Sequence, residues 1–155
     1  MFDFARLQGQ KENGRVEAKQ ATGGLPLSMW ETYSAFANTQ GGFILLGVAE
    51  HPDHTLYPVG LPDALGMAKE IWARLEDPAW VSVNLLTHED ISVVHQDGKD
   101  ILILRVPKAP RRLRPVYVHG DPLHGAFRRD ADGEYRLTPT EIAEMRSGGG
   151  DRIGE

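Results

Sequence analysis

Cysteine is absent from this 155-residue chain, which excludes disulfide scaffolds, zinc ribbons and thiol nucleophiles, so any bound metal would need histidine or carboxylate ligands. Long apolar runs are absent as well. The longest, Phe43 to Val48, is far too short to span a bilayer, and the opening MFDFARLQGQKENGR lacks the basic region and apolar stretch of a secretory signal. No membrane partner is expected, and a cytoplasmic location is. Positive charge is not in excess: 17 Lys and Arg stand against 22 Asp and Glu, for a net charge of −5, which disfavours indiscriminate binding to polyanions. Several signatures of chemistry are missing too. There is no Gly-x-x-x-x-Gly-Lys-Ser/Thr loop and hence no ATP site of that kind, and no Gly-x-Ser-x-Gly elbow, His-Glu-x-x-His helix or dinucleotide fingerprint. The histidines are scattered, and His51-x-x-His54 in a turn-rich loop is the one ligand-like spacing.

What is present suits one folded domain. The length and the 41% hydrophobic content allow a single real core and leave little for a second. The domain is expected over residues 1–146, followed by a flexible Gly-rich tail, 147-SGGGDRIGE-155. Charge is distributed unevenly. Between Arg105 and Arg129 lie seven basic residues (Arg105, Lys108, Arg111, Arg112, Arg114, Arg128 and Arg129) against one acid, Asp121. Such a segment suits a phosphate backbone, and it equally suits a solvated loop.

The pattern along the chain predicts an α+β fold with a mixed, largely antiparallel sheet and packed helices. The stretch 12-ENGRVEAK-19 has a strand's alternation after an Asn-Gly turn, with Glu17 and Lys19 on one face and Val16 and Ala18 on the other. In 28-SMWE-31 the spacing is that of a capping box, which predicts a helix from Met29 to about Asn38, with Asn38 and Thr39 as end caps before Gly41–Gly42. Phe43 to Val48 reads as a central strand covered on both faces. A second helix is expected from Asp63 to Leu75, with Leu65, Ala68, Ile71, Trp72 and Leu75 toward the core. After the segment Val81 to Leu86, strands at Ile91–His95 and Ile101–Val106 form a hairpin around Asp97–Gly98. Short strands follow at Val116–Val118 and Gly125–Arg129, and 138-TPTE-141 starts a last helix running to about Arg146. Trp30, Trp72 and Trp80 read as core anchors, while Tyr117 and Phe127 are candidates for base stacking that alternate burial also explains.

A Glu-x-Lys pair on one strand face admits two chemistries. It is either an ordinary surface pair, or part of a site where carboxylates hold a hard divalent ion and an amine stabilises charge on phosphorus. Alone it decides nothing. Together, however, 12-ENGRVEAK-19, 34-SAFANTQGGFILLGVAE-50, 56-LYPVG-60, 115-PVYVHG-120 and 126-AFRRDADGEYRLTPTEI-142 resemble the Schlafen AlbA_2 family in the family's order, over nearly the whole chain. The resemblance implies a single AlbA_2-like lobe that binds nucleic acid. It also implies a divalent-metal-dependent endoribonuclease acting on structured RNA such as tRNA, with Glu12, Glu17 and Glu50 holding Mg or Mn and Lys19 beside them. The other function it implies is a non-catalytic DNA-binding module of a bacterial transcriptional regulator. In either case Lys108, Arg111, Arg112, Arg114, Arg128 and Arg129 are the expected contacts to nucleic acid. Animal Schlafens make a groove from two lobes, so a homodimer is the expectation for one.

Overall fold

A computed structural model of the protein describes residues 15–130 and 133–147. Its central sheet has four strands in the order β1-β2-β6-β5. β1 (Val16–Lys19) runs parallel to β2 (Gly42–Leu46), and β2 is antiparallel to β6 (Lys99–Val106). β5 (Ile91–Gln96) and β6 form the expected hairpin, with Asp97 and Gly98 at φ 55° and 75° in its two-residue turn. The sheet is thus mixed and mainly antiparallel, as the pattern predicted.

Strand alternation divides the core. Ile44, Leu46, Leu102, Leu104 and Val106 face the helices, while Val16, Leu45, Ile101 and Ile103 face a smaller cluster with Val48 and Leu56. The helix-covered side is built on α1 (Ser28–Asn38) and α2 (Ala64–Leu75). α1 is buried nearly all round, because it lies between the sheet and a second, two-stranded ribbon of β7 (Phe127–Asp130) and β8 (Gly133–Arg136). α3 (Pro139–Arg146) closes the ribbon's other side through Ile142, packed with Ala126 and Leu137.

Several local expectations are corrected. The apolar run after Gly41 is not one strand: Gly47, at φ 85°, turns the chain, and β3 (Val48–Glu50) pairs instead with β4 (Leu56–Pro58). The N-cap of α1 is Leu27, with no capping side chain; Ser28 is already helical and its hydroxyl receives the Lys19 ammonium at 3.2 Å. Asn38 is the last residue of α1 and not a left-handed cap. The reversal is made by Gly41 at φ 73°, where a Cβ would lie 2.7 Å from the Val106 carbonyl oxygen. In α2, capped by the Asp63 carboxylate on the Gly66 N–H, Leu65 points outward at 62% exposure while Ala64 and Met67 are buried. The apolar stripe falls one residue away from the expected register there. Val81–Leu86 makes no ladder beyond a bridge from Val81 to Val118, and Val116–Val118 contributes single bridges. Trp30 is fully buried, whereas Trp72 and Trp80 pack only partly buried against the core. The last capping box forms as expected, Thr138 Oγ1 accepting from the Glu141 N–H while Glu141 accepts from the Thr138 N–H. The Gly-rich tail beyond Ser147 and the carboxylate Glu12 lie outside the described residues. Among the described residues, no helix is long and apolar enough to cross a membrane.

Candidate functional site

Among the described residues β1 is an edge strand, and its register places Glu17 opposite Ile44 and Lys19 opposite Leu46, on the side of the sheet that α1 covers. Val16 and Ala18 fill the opposite cluster, as alternation requires. A carboxylate at the margin of an apolar face needs a partner, and the β7–β8 ribbon supplies it. Arg129 Nη1 lies 2.9 Å from Glu17 Oε1 and 2.7 Å from Glu134 Oε1, and Nη2 donates to the Val16 carbonyl at 3.3 Å. The guanidinium also sits over the Phe36 ring, 4.9 Å from its centroid. On the other side, Lys19 Nζ is 3.5 Å from Glu17 Oε2. The Glu17 and Lys19 face named from the sequence is therefore an interlocked cluster of two carboxylates and two cations, joining β1, β7, β8 and the start of α1.

The same ribbon is fastened to α1 by a polar spine that the sequence reading missed. Asn38 Nδ2 donates to the carbonyls of Val116 and Phe127, each at 3.0 Å, and Asn38 Oδ1 accepts from the Val116 N–H at 2.7 Å. One turn earlier, Ser34 Oγ donates to the Val116 carbonyl at 2.7 Å and accepts from the Phe127 N–H at 3.0 Å. Thr39 Oγ1 receives the Arg129 N–H at 3.0 Å. Ser34 and Asn38, four residues apart in a helix that also carries Trp30, Tyr33 and Phe36, were the available signal, because such a spacing puts both on one face. This spine sets where Arg129 emerges, so the motif Ala-Phe-Ala-Asn-Thr acts on the Glu17 cluster through the ribbon.

The predicted metal set is only partly within view. Glu50 ends β3 beyond the Gly47 turn, and its Oε1 lies 3.3 Å from His54 Nδ1. Among the described residues, no three His, Asp or Glu side chains gather where an ion would sit. Oxygen ligands of the expected kind would come from Glu17 and Glu50 together with Glu12, which lies outside the described residues. Both Glu17 oxygens face cations, Oε1 toward Arg129 and Oε2 toward Lys19, so an ion there would share them.

The basic residues separate into two groups. Arg129, with its side chain 8% exposed, is an internal cation and not a surface contact, because the Glu17 and Glu134 carboxylates draw it inward. Arg128 points outward, with Nε 3.1 Å from Glu141 Oε2 and Nη1 3.3 Å from Asp130 Oδ2. Lys108 and Arg112 are exposed, with no ion pair among the described residues, and Arg111 and Arg114 are half-buried beside them in and after a single 3-10 turn. The exposed cations of this segment are therefore Lys108 and Arg112.

The family model for Schlafen, AlbA_2 matches residues 12–138. No curated protein matches the chain. Among solved structures, the N-terminal domain of a RecG-related protein from Nitrosomonas europaea is similar, with a TM-score of 0.58 and 30% identity over 77% of this chain and 79% of that one. The DIP2311 protein of Corynebacterium diphtheriae shares the fold, with a TM-score of 0.56 and 15% identity; the match covers 94% of this chain and 27% of that one. With its core motifs inside the matched span and its lobe matching that of the RecG-related domain, the chain belongs to the Schlafen AlbA_2 family, and that membership points to a nucleic-acid-binding domain.

Proposed function

We propose that this domain binds nucleic acid without cutting it, holding the phosphate backbone with Lys108, Arg111, Arg112 and Arg114 and with Arg128 at the margin. The observation that carries this reading is the Glu17–Arg129 pair: the carboxylate expected to hold a metal is 2.9 Å from a buried guanidinium that also carries Glu134. In this reading Glu17 and Lys19 serve the fold of the interface and not a reaction. DNA is a natural ligand class, since the description of the Nitrosomonas relative ties that protein to ATP-dependent DNA helicases.

The endoribonuclease reading, with Mg or Mn on Glu12, Glu17 and Glu50 and Lys19 assisting, rests on the family resemblance. One experiment separates the two. The protein is incubated with labelled tRNA, duplex DNA and single strands, with manganese, magnesium or a chelator, beside a Glu50→Ala variant. Glu50 is the informative choice because its exposed side chain contributes little to the core, whereas Glu17→Ala would unpair Arg129 and confuse a lost activity with a lost fold. Retarded complexes that persist in chelator, with intact nucleic acid, are the expected result. Discrete fragments that require metal and disappear in Glu50→Ala would overturn it.

A further inference from the structure

Tyr135 is the one aromatic among the exposed large apolar side chains of the described residues, at 43% exposure. Its position follows from the ribbon's register. Phe127 and Arg129 on β7 turn toward α1, so Arg128 and its cross-strand partner Tyr135 share the outer face. α3 covers only the far part of that face, where Ile142 meets Ala126 and Leu137. The Tyr135 side chain stays partly open to solvent, with the Arg128 guanidinium 5.0 Å from its ring centroid. Arg128 is itself fixed by Asp130 and Glu141. Arg136, the next residue, lies opposite Phe127 and so belongs to the other face, its guanidinium 5.9 Å from the centroid of the Phe127 ring.

The basic segment leads into the chain beside this ribbon. Tyr117 bridges Ala126, and Asn38 and Ser34 each bond to both Val116 and Phe127, so residues 116–117 lie antiparallel along the ribbon. The chain that runs back from Val116 into Arg114, Arg112 and Arg111 therefore leaves from beside β7, the strand that carries Arg128. A cation-backed aromatic ring beside a row of arginines is the composition that single strands recognise, with bases stacking on the ring and phosphates on the cations. Duplex offers no unstacked base to such a ring.

We propose that Tyr135, backed by Arg128, is a stacking platform for an unpaired base of single-stranded nucleic acid whose phosphates run over the 108–114 segment. The proposal rests on the nucleic-acid reading above, and its test keeps the two apart. Fluorescence anisotropy at one salt concentration compares labelled single-stranded RNA, single-stranded DNA and duplex DNA of equal length, for the wild type, Tyr135→Ala and Tyr135→Phe, with thermal melts confirming that each variant folds. Tyr135→Ala should weaken at least one class of single strand by about tenfold, leave duplex within about twofold, and be rescued by Tyr135→Phe. Equal binding of single strands by wild type and Tyr135→Ala, or an equal loss for duplex, overturns the platform and leaves the binding domain standing. A wild type that binds none of the three overturns both.

Discussion

Breaking the Glu17–Arg129–Glu134 cluster has a cost that depends on which member is removed. Arg129→Met takes the cation away and leaves two carboxylates facing each other, and we expect a loss of about 3 kcal/mol in urea unfolding. Glu17→Gln leaves Arg129 paired with Glu134, so a loss of about 1 to 2 kcal/mol is expected. A Glu17→Gln protein as stable as the wild type would remove the structural role from Glu17 and return weight to a catalytic one. Asn38→Ala is a second probe at this scale. It strips the Val116 N–H of its acceptor inside the core, and about 2 to 3 kcal/mol should be lost. Retention of wild-type stability there would show that the ribbon does not depend on the spine. The identities of these residues were legible in the sequence, but their partners were not. Glu17 and Arg129 are 112 positions apart, and no periodicity connects them.

Among the elements, α3 carries a pH-dependent end. The Thr138 N–H, with Arg128 nearby, holds the Glu141 carboxyl below its ordinary value against a smaller opposing effect of burial. Because the folded-state value is depressed, the contribution is present above the unfolded value and is lost as the pH falls through the folded one. An NMR titration should show the Thr138 amide shifting only in acid below the ordinary glutamate range. A midpoint at or above that range would contradict the capping geometry. Thr138→Ala should loosen α3 by about 1 kcal/mol, read as faster amide exchange over its first turn. Elements were the most legible scale. Helix spans, the Asp-Gly hairpin and the Thr138 box follow from local rules, since caps and turns are satisfied within a few residues. Two of the failures turn on partners from elsewhere in the chain: the Ser28 hydroxyl accepts from Lys19 of β1, and past the Gly47 turn β3 pairs with β4.

For the whole molecule, the cations proposed to meet phosphate set a salt dependence. If Lys108, Arg111, Arg112 and Arg114 each meet a phosphate, log affinity for a single strand should fall against log salt with a slope of about −3. Arg112→Ala should reduce that slope by about 0.7 without changing sequence preference. A flat salt response would remove the 108–114 segment from the interface. Whether one lobe acts alone is a question at this scale too. A homodimer forming the groove is our proposal, and light scattering at concentrations where nucleic acid binds should report twice the chain mass. A monomer mass there ends it.

The sequence by itself determined the class of fold, most element positions, the family motifs and the uneven placement of basic charge, because these depend on spacing of a few residues and on composition. It also marked Glu17 and Lys19 as sharing a face. Only the tertiary structure decided what that face meets. β7 crosses the end of α1 and brings Arg129 onto Glu17, which turns one basic residue inward and leaves Lys108, Arg112 and Tyr135 outside. The physical reason is that a charge at the edge of an apolar layer is defined by whichever partner the fold carries to it, and that partner came from the opposite end of the chain.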